Sequence, residues 1–236
     1  MNTLPVAILA GGLATRLRPA TEKVPKALLP IAGRPFIHWQ LGLLAQQGVT
    51  DVVLCVGHLG DQIQAAVGDG SGFGVTVRYS FDGDALLGTG GALKRALPML
   101  GAAFFVLYGD SYLRCSFAAA QTAYEASAAL GLMTVHCNEG RWEMSNVLVR
   151  DGRIAEYNKH SPRPGMRHID YGLGILSTQA LKRGPAGDAF DLADLYHELA
   201  LRGELAALTV SRRFYEIGSV GGIEATERYL ASGSRR

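Results

Sequence analysis

The sequence predicts an α/β fold: a single domain with a Rossmann-like, mostly parallel mixed sheet flanked by helices. Three observations lead to this prediction. The chain has 236 residues, which is enough to bury one full core. Apolar runs of strand length alternate with stretches of helical periodicity through the first half. Beyond about residue 130 the apolar runs are shorter and more strand-rich, which indicates a less regular second half.

The alternation can be assigned element by element. In the first half, strands are predicted at 6–10, 51–56, 75–79 and 104–108, and helices at 36–47, 60–67 and 91–99. In the second half, strands are predicted at 132–137, 147–149, 154–157 and 171–176, and helices at 191–201 and 221–230. A strand–helix–strand rhythm of this kind requires a parallel or mostly parallel sheet covered by helices.

Composition and charge exclude several classes of function. Lys and Arg number 23 against 21 Asp and Glu, so the net charge of +2 gives no extended basic surface for nucleic acid. No apolar stretch approaches the roughly 20 residues that span a bilayer, and the apolar run at 6–10 lacks the basic segment of a signal peptide. The three cysteines are far apart, and we expect reduced thiols with Cys55 and Cys137 buried. A cytoplasmic protein with no nucleic-acid or membrane partner is expected.

A glycine pair with nearby basic residues follows the first predicted strand. Gly11 and Gly12 stand at its end, and Arg16 and Lys26 come soon after. Ligands of open α/β sheets bind at the carboxyl ends of the strands, and glycine lets backbone amides approach an anion closely. The planar guanidinium of arginine and the compact charge of lysine both suit phosphate oxygens. This segment therefore indicates a triphosphate site, with an ordinary turn carrying surface basic residues as the alternative.

Two familiar phosphate loops do not fit this segment. The dinucleotide fingerprint requires three glycines spaced G-x-G-x-x-G, but position 14 is alanine. The second predicted strand also ends without an acidic residue for a ribose hydroxyl. The Gly-Lys-Ser/Thr of a P-loop is absent. These departures disfavour an NAD-dependent oxidoreductase and a P-loop enzyme.

A carboxylate ends the most continuous apolar strand of the sequence. Asp110 follows the run F-F-V-L-Y-G at 104–109. At such a strand end a carboxylate can hold Mg²⁺, which prefers one or two carboxylates plus substrate phosphates. The alternative is an aspartate that caps a turn or helix, assisted by Ser111.

Two separated motifs resemble the signature of the sugar-1-phosphate nucleotidyltransferases, L-A-G-G-x-G-T-R-L followed by P-K-x-L-x-P. Residues 8–17 read I-L-A-G-G-L-A-T-R-L, and residues 24–30 read V-P-K-A-L-L-P. The resemblance is specific because both parts must match at their spacing. It spans nearly the whole chain, continuing through 33–35, 87–92, 109–110, 156–159, 170–172 and 215–218.

The resemblance implies a GT-A-like fold and transfer of a nucleoside monophosphate from a nucleoside triphosphate to a sugar 1-phosphate, with Mg²⁺ as cofactor. It implies a nucleotide-binding part at about 1–130, a sugar-binding part at about 131–236, and a possible homodimer. The implied nucleotide-binding residues are Leu9, Ala10, Gly11, Gly12, Gly88, Thr89 and Gly90. The implied catalytic residues are Arg16, Lys26 and Asp110, the sugar-phosphate residues are Glu156, Lys159 and Gly172, and the metal ligands are Asp110 and Glu216.

The sequence departs from the family pattern in three places. Ala14 replaces the usual glycine of G-T-R, which adds a methyl group where the loop bends. Lys159 lies in E-Y-N-K-H rather than in E-K-P. Glu216 stands where the family has an aspartate, and its carboxylate reaches one methylene further.

The motifs point to different substrates within the family. The paired glycines and L-G-T-G-G-A at 87–92 resemble the D-glycero-D-manno-heptose 1-phosphate guanylyltransferases, which is the assignment that we favour. Residues 68–74 (G-D-G-S-G-F-G) instead resemble the N-acetylmuramate 1-phosphate uridylyltransferases. Cytidylyl- and thymidylyltransferases also carry the paired glycines. A non-catalytic nucleotide-sugar sensor is a further alternative, which the presence of Arg16, Lys26 and Asp110 opposes.

Overall fold

The computed structural model describes residues 3–138, 144–159 and 161–233. Its strands are β1 Val6–Leu9, β2 Pro30–Ile31, β3 Arg34–Pro35, β4 Asp51–Val56, β5 Thr76–Phe81, β6 Ala103–Tyr108, β7 Ser111–Tyr112, β8 Gly131–Cys137, β9 Val147–Arg150, β10 Arg153–Tyr157, β11 His168–Ser177, β12 Leu205–Thr209 and β13 Tyr215–Glu216. Its α-helices are α1 Phe36–Gln46, α2 Gly60–Val67, α3 Gly88–Ala96, α4 Phe117–Ser127, α5 Thr178–Lys182, α6 Leu192–Leu201 and α7 Val220–Gly233.

A nine-stranded mixed sheet organises the chain, in the order β5-β4-β1-β6-β11-β8-β12-β10-β9. The first four of these strands are mutually parallel. Strand β11 runs antiparallel to both β6 and β8, whereas β12 is parallel to β8. Strands β10 and β9 continue the sheet with antiparallel pairs. The predicted α/β fold with a mixed sheet is confirmed, with the parallel pairs concentrated in the first half.

The register of the parallel strands places three loops at one edge of the sheet. Strand β1 lies between β4 and β6, and its last residue, Leu9, pairs with Cys55 on one side and Tyr108 on the other. The loops that follow these strands therefore start at the same level. They carry the glycine pair and Asp110, which the sequence singled out.

Helices cover both faces of the sheet. Successive strand residues point to opposite faces, so Ile8 and Leu54 pack in one core with buried residues of α1, α2 and α4. Ala7 and Val53 pack in a second core with buried residues of α3, α5 and α6. This double cover explains the almost unbroken apolar composition of β4 and β6.

The start of α3 differs from the sequence expectation. Prediction began this helix at residue 91, but it begins at Gly88. The amides of Gly90 and Gly91 donate to the carbonyl of Phe190, at 2.9 and 3.3 Å. Long-range hydrogen bonds thus stabilise a glycine-rich first turn that local propensity disfavours. Helix α4 and strand β12 were not predicted.

The cysteines correct one expectation. All three thiols are free, and Cys55 is buried as predicted. The predicted burial of Cys137 is wrong, because it is the last residue of β8 and burial along that strand stops at His136. Within the described ranges, no helix is long and apolar enough to cross a membrane.

Candidate active site

A pocket of about 230 Å³ opens at the carboxyl edge of the parallel strands. Its wall contains six of the seven residues assigned to the nucleotide: Leu9, Ala10, Gly11, Gly12, Gly88 and Thr89. The seventh, Gly90, instead packs under the ring of Phe190. Lys26 and Asp110 also line the pocket, so the structure brings most of the sequence-predicted residues together.

A second pocket of about 390 Å³ adjoins the first and contains Arg16. Lys26, Leu86 and Asp110 line both pockets, so they mark the boundary between the two. The side chain of Arg16 is exposed on the wall of the second pocket. Arg16 and Lys26 thus lie together on the wall of the second pocket, where their charges suit phosphate oxygens.

The two glycines of the first loop have different structural roles. A β-carbon on Gly11 would lie 2.9 Å from the backbone nitrogen of Gly57, so glycine is required where the loops after β1 and β4 approach. A β-carbon on Gly12 would meet no atom within 4 Å. Gly11 therefore permits the packing of the protein, whereas Gly12 leaves the pocket wall open to a ligand.

Ala14 keeps the loop geometry that glycine would favour. Its φ of 47° lies in the left-handed region, where a non-glycine residue costs about 1–2 kcal/mol. Its carbonyl accepts hydrogen bonds from the amide of Leu17 and, at 2.8 Å, from the hydroxyl of Thr21. The loop therefore bends at Ala14 in the conformation that glycine favours, and Arg16 lies beside the second pocket.

An ion pair joins the two central charged residues. Lys26 Nζ lies 2.7 Å from Asp110 Oδ2, with side chains 24% and 29% exposed. Lys26 begins a single 3₁₀ turn after Pro25, and Asp110 follows β6. The remaining carboxylate oxygen, Oδ1, accepts a hydrogen bond from Ser111 Oγ at 3.3 Å. The pair holds a positive and a negative group on the wall that the two pockets share.

Strand pairing brings Glu216 next to Asp110. Strand β13 pairs with β7, which sets Glu216 opposite Ser111, and the amide of Ile217 donates to the carbonyl of Asp110 at 2.9 Å. The Glu216 carboxylate accepts from the Gly218 amide and, at 2.7 Å, from Ser219 Oγ. A β-carbon on Gly218 would lie 2.8 Å from Glu216 Oε2 and 3.4 Å from Asp110 Oδ2, so both carboxylates face the same space.

Two carboxylates beside a phosphate-sized pocket fit Mg²⁺, which takes one or two carboxylates and completes its shell with phosphate oxygens and water. In the part of the chain that the structure describes, no group of three or more His, Cys, Asp and Glu residues could hold a metal without such help. The donor set thus suits an ion that arrives with the triphosphate.

The residues assigned to the sugar phosphate lie on a different side of the site. Lys159 Nζ forms an ion pair with Asp191 Oδ2 at 2.9 Å. Glu156 pairs with Arg163 at 3.2 Å and is not on the wall of either pocket. Gly172 has a φ of 100°, and a β-carbon there would lie 3.2 Å from Ser111 Oγ, one residue from Asp110. Gly172 therefore lies near Asp110, whereas neither Lys159 nor Glu156 lines either pocket.

Sequence reasoning missed Asp82. It lines the first pocket and is only 6% exposed. Burial raises the pKa of this carboxyl, although the Leu87 amide, which donates to Oδ2 at 3.3 Å, and the charge of Arg95 oppose the rise. Asp82 directly follows β5, another parallel strand, so the strand-end rule that found Asp110 also applies to it.

Asp170 was also missed, although Gly172 in the same segment was singled out. Tyr108 lies on the wall of the first pocket and donates its hydroxyl to Asp170 Oδ2 at 3.2 Å. The Gly172 amide donates to Asp170 Oδ1 at 2.9 Å. Burial raises the pKa of Asp170 to about 6, against the lowering effect of these two donors and of Lys159. Asp170 thus lies one hydrogen bond from the wall of the first pocket, in surroundings that raise its pKa.

Substituting Asp170→Asn is expected to stabilise the protein above about pH 6 but not near pH 4. Because the folded-state pKa is raised, the native protein binds more protons than the unfolded chain, and stability falls as pH rises through about 6. The variant should therefore match wild type near pH 4 and exceed its unfolding free energy by about 1–3 kcal/mol at pH 8. Urea denaturation at both pH values measures this.

The exposed Asp84 provides a control for the loss of one carboxylate. Asp84→Asn should show no comparable gain between pH 4 and pH 8. A stability difference between Asp170→Asn and wild type that is independent of pH would refute the titration of Asp170 in this range.

Comparison with known proteins agrees with this geometry. The family model of the nucleotidyl transferases matches residues 6–143. The chain is 35% identical to N-acetylmuramate alpha-1-phosphate uridylyltransferase of Neisseria meningitidis serogroup B, over 86% of each chain. It is also 35% identical to D-glycero-alpha-D-manno-heptose 1-phosphate guanylyltransferase of Campylobacter jejuni, over 89% of this chain and 93% of the relative.

A solved structure supports the fold. The crystal structure of HddC from Yersinia pseudotuberculosis complexed with GMP-PN superposes with a TM-score of 0.81, covering 96% of this chain and 99% of that one at 24% identity. The matching family model, the two full-length relatives and the strand-end site together confirm the family resemblance seen in the sequence. The chain belongs to the nucleotidyl transferase family and is a sugar-1-phosphate nucleotidyltransferase.

Proposed function

We propose that this enzyme transfers guanylate from GTP to D-glycero-D-manno-heptose 1-phosphate, releasing pyrophosphate. The observation that carries the choice of base is the buried carboxylate of Asp82 on the nucleotide pocket wall. The triphosphate belongs towards Lys26, Asp110 and Arg16, where the two pockets meet. We place the base in the part of the first pocket that the second pocket does not share, whose wall includes Cys55 and Asp82.

A carboxylate at this position favours guanine on chemical grounds. Guanine presents two adjacent donors, N1–H and the 2-amino group, which the two oxygens of a carboxylate accept in parallel. Uracil and thymine present one N–H donor between two carbonyl oxygens, and a carboxylate repels those oxygens. Adenine and cytosine offer an amino group beside a ring nitrogen acceptor. A buried group left without its donors is costly, so Asp82 selects against these bases.

Comparing GTP with ITP tests this role, because the hypoxanthine base of ITP lacks only the 2-amino group. Wild type is expected to show a KM for GTP about 10-fold or more below that for ITP, since a hydrogen bond to a charged group contributes about 1.5–3 kcal/mol. Asp82→Asn should raise the KM for GTP and remove most of this preference. Steady-state pyrophosphate release measures both.

Asp84→Asn is the matched control, since Asp84 is exposed two residues along the chain. Thermal shifts with Mg²⁺ and each of GTP, ATP, CTP, UTP and dTTP give an independent ranking of the bases. Stronger stabilisation of wild type by UTP than by GTP, or an Asp82→Asn variant that keeps the GTP preference, would contradict the proposal.

The phosphate chemistry follows from the residues at the pocket mouth. We assign Arg16 and Lys26 to the triphosphate oxygens, and Asp110 with Glu216 to Mg²⁺, which supplies positive charge to those oxygens when bound. A phosphate monoester has its second pKa near ~6, so the sugar phosphate is already a nucleophile and needs no general base. One of its oxygens attacks the α-phosphorus and pyrophosphate leaves. The protein's part is to position both substrates and stabilise the developing charge.

The sugar side is assigned to the second half of the chain. We propose that residues from about 131 onwards bind the sugar phosphate through Lys159, Glu156 and Gly172. Residues up to about 130 bind the nucleotide through the wall of the first pocket, and Gly90 supports the first turn of α3 behind that wall. For Glu156 to contact a sugar, it must exchange its ion pair with Arg163 for the ligand. A homodimer remains a prediction, which light scattering measures directly.

A second candidate is uridylyl transfer to N-acetylmuramate 1-phosphate. It is supported by the relative from Neisseria meningitidis, which is as similar to this chain as the guanylyltransferase from Campylobacter jejuni. The two candidates differ in the base that the pocket selects. The five-nucleotide comparison therefore separates them without knowledge of the sugar.

A further inference from the structure

One carboxylate bridges the nucleotide pocket and the lysine assigned to the sugar phosphate. Asp191 Oδ1 accepts hydrogen bonds from Thr89 Oγ1 at 2.9 Å and from the Ala193 amide at 3.0 Å. Its other oxygen, Oδ2, binds Lys159 Nζ at 2.9 Å. Thr89 lies on the wall of the nucleotide pocket. Asp191 therefore connects the two halves of the site directly.

The backbone around Asp191 is hydrogen-bonded to the start of α3, at residues 87–91. Phe190 donates its amide to the carbonyl of Leu87 at 3.0 Å, and its carbonyl accepts from Gly90 at 2.9 Å. The Leu192 amide donates to Thr89 Oγ1 at 2.8 Å. A β-carbon on Gly88 would lie 2.6 Å from the Phe190 carbonyl oxygen, so the two segments touch closely. Residues 190–192 are therefore held against the first turn of α3.

The charge on Asp191 is maintained at neutral pH. Burial alone would raise its pKa, but hydrogen bonds from Ala193, Lys159 and Thr89 lower it below its ordinary value. An ammonium has three donors, of which one points at Asp191 here. Because the Lys159 side chain is 50% exposed, a phosphate can approach its remaining donors. The ion pair thus orients Lys159 without enclosing it.

We propose that Asp191 is a positioning residue: Thr89, in the first turn of α3, anchors Asp191, and Asp191 holds Lys159 for the sugar phosphate. Asp191 itself does not touch the reacting groups. This inference rests on the assignment of Lys159 to the sugar phosphate in the proposed function. Placing a lysine in advance lowers the ordering cost that substrate binding would otherwise carry.

The variant Asp191→Asn removes the charge but keeps an oxygen that can accept from Thr89 and cap α6. It is tested with the sugar 1-phosphate and nucleoside triphosphate that wild type turns over fastest among the heptose, N-acetylmuramate, glucose and mannose 1-phosphates. The KM for the sugar 1-phosphate is expected to rise about 5- to 20-fold, within the range found for coupled side chains in contact, with the KM for the triphosphate within about two-fold of wild type.

A double-mutant cycle tests whether Asp191 acts through Lys159. Lys159→Met should raise the KM for the sugar 1-phosphate at least as much as Asp191→Asn does. In the Lys159→Met background, adding Asp191→Asn should change that KM little. Ser116→Ala, which removes the side-chain cap of α4, is the control for a lost helix cap and should leave both KM values unchanged.

Two results would overturn the inference while leaving the proposed function intact. One is a lower KM for the sugar 1-phosphate in Asp191→Asn, which would show that Asp191 restrains Lys159 from binding. The other is simple additivity of the two substitutions. An unchanged KM in Lys159→Met would overturn both this inference and the assigned role of Lys159, whereas selection of another substrate pair by wild type would contradict only the proposed guanylyl transfer to the heptose.

Discussion

Replacing either Lys26 or Asp110 with alanine is expected to lower kcat/KM by about 10²–10⁴-fold while the protein stays folded. Both side chains line both pockets, and we assign the reacting phosphates to this shared boundary. Lys26 supplies charge to the phosphate oxygens, and Asp110 holds the metal ion in our assignment. Each loss acts on charge that develops in the transition state, so kcat should fall more than KM rises.

The fold should tolerate both changes. The Lys26–Asp110 pair is 24% and 29% exposed, and a solvent-accessible ion pair contributes about 1 kcal/mol or less. The pair between Arg78 and Asp51, also 2.7 Å long, provides a matched control. Arg78→Ala should keep near-normal turnover, as measured by pyrophosphate release, and the circular dichroism of all three variants should match wild type. Near-normal turnover in both Lys26→Ala and Asp110→Ala would contradict the assigned roles.

Gly109→Ala is expected to destabilise the protein by about 2–4 kcal/mol and to reduce turnover at least about 10-fold. A β-carbon on Gly109 would lie 2.5 Å from the carbonyl oxygen of Leu9 and 3.1 Å from Cα of Ala10. These are backbone atoms, which cannot turn aside as a flexible side chain does. Relief requires the ends of β1 and β6 to separate, and Asp110 follows directly.

Gly42→Ala provides the matched control, because no atom lies within 4 Å of the added β-carbon in the middle of α1. Alanine there should stabilise the helix by up to about 1 kcal/mol. Urea denaturation gives the free energy of unfolding and pyrophosphate release gives turnover. If Gly109→Ala proves as stable and as active as Gly42→Ala, the close approach of the two strand ends is not needed for the site.

Sequence patterns predicted the parallel half of the sheet because its strands are buried on both faces. Continuous apolar runs mark β4 and β6, and the register then follows from their pairing with β1. Helix α4 and strand β12 lacked such a signal. Three consecutive alanines blur the apolar face of α4, and β12 reads L-A-A-L-T, whose alanines and leucines favour helix over strand. Both elements are fixed by tertiary packing more than by local pattern.

The residues of the candidate site divide in the same way, into those that sequence patterns predict and those that only tertiary packing brings together. Gly11, Gly12 and Asp110 follow strand ends, so the topology alone gathers them in one pocket. The pair between Lys159 and Asp191 joins residues 32 positions apart, and no local spacing predicts it. Asp82 was partly predictable, because it follows a parallel strand, but it belongs to no recognised motif.

Pyrophosphate release, with mass spectrometry of the nucleotide product, tests the central claim most directly. Wild-type enzyme is incubated with Mg²⁺, the five nucleoside triphosphates and a pool of heptose, hexose, amino-sugar and N-acetylmuramate 1-phosphates. We predict pyrophosphate release that requires a sugar 1-phosphate, with GDP-heptose as the principal product. Pyrophosphate release that does not require any sugar, or triphosphate binding with no nucleotide-sugar formed from the whole pool, would contradict the account.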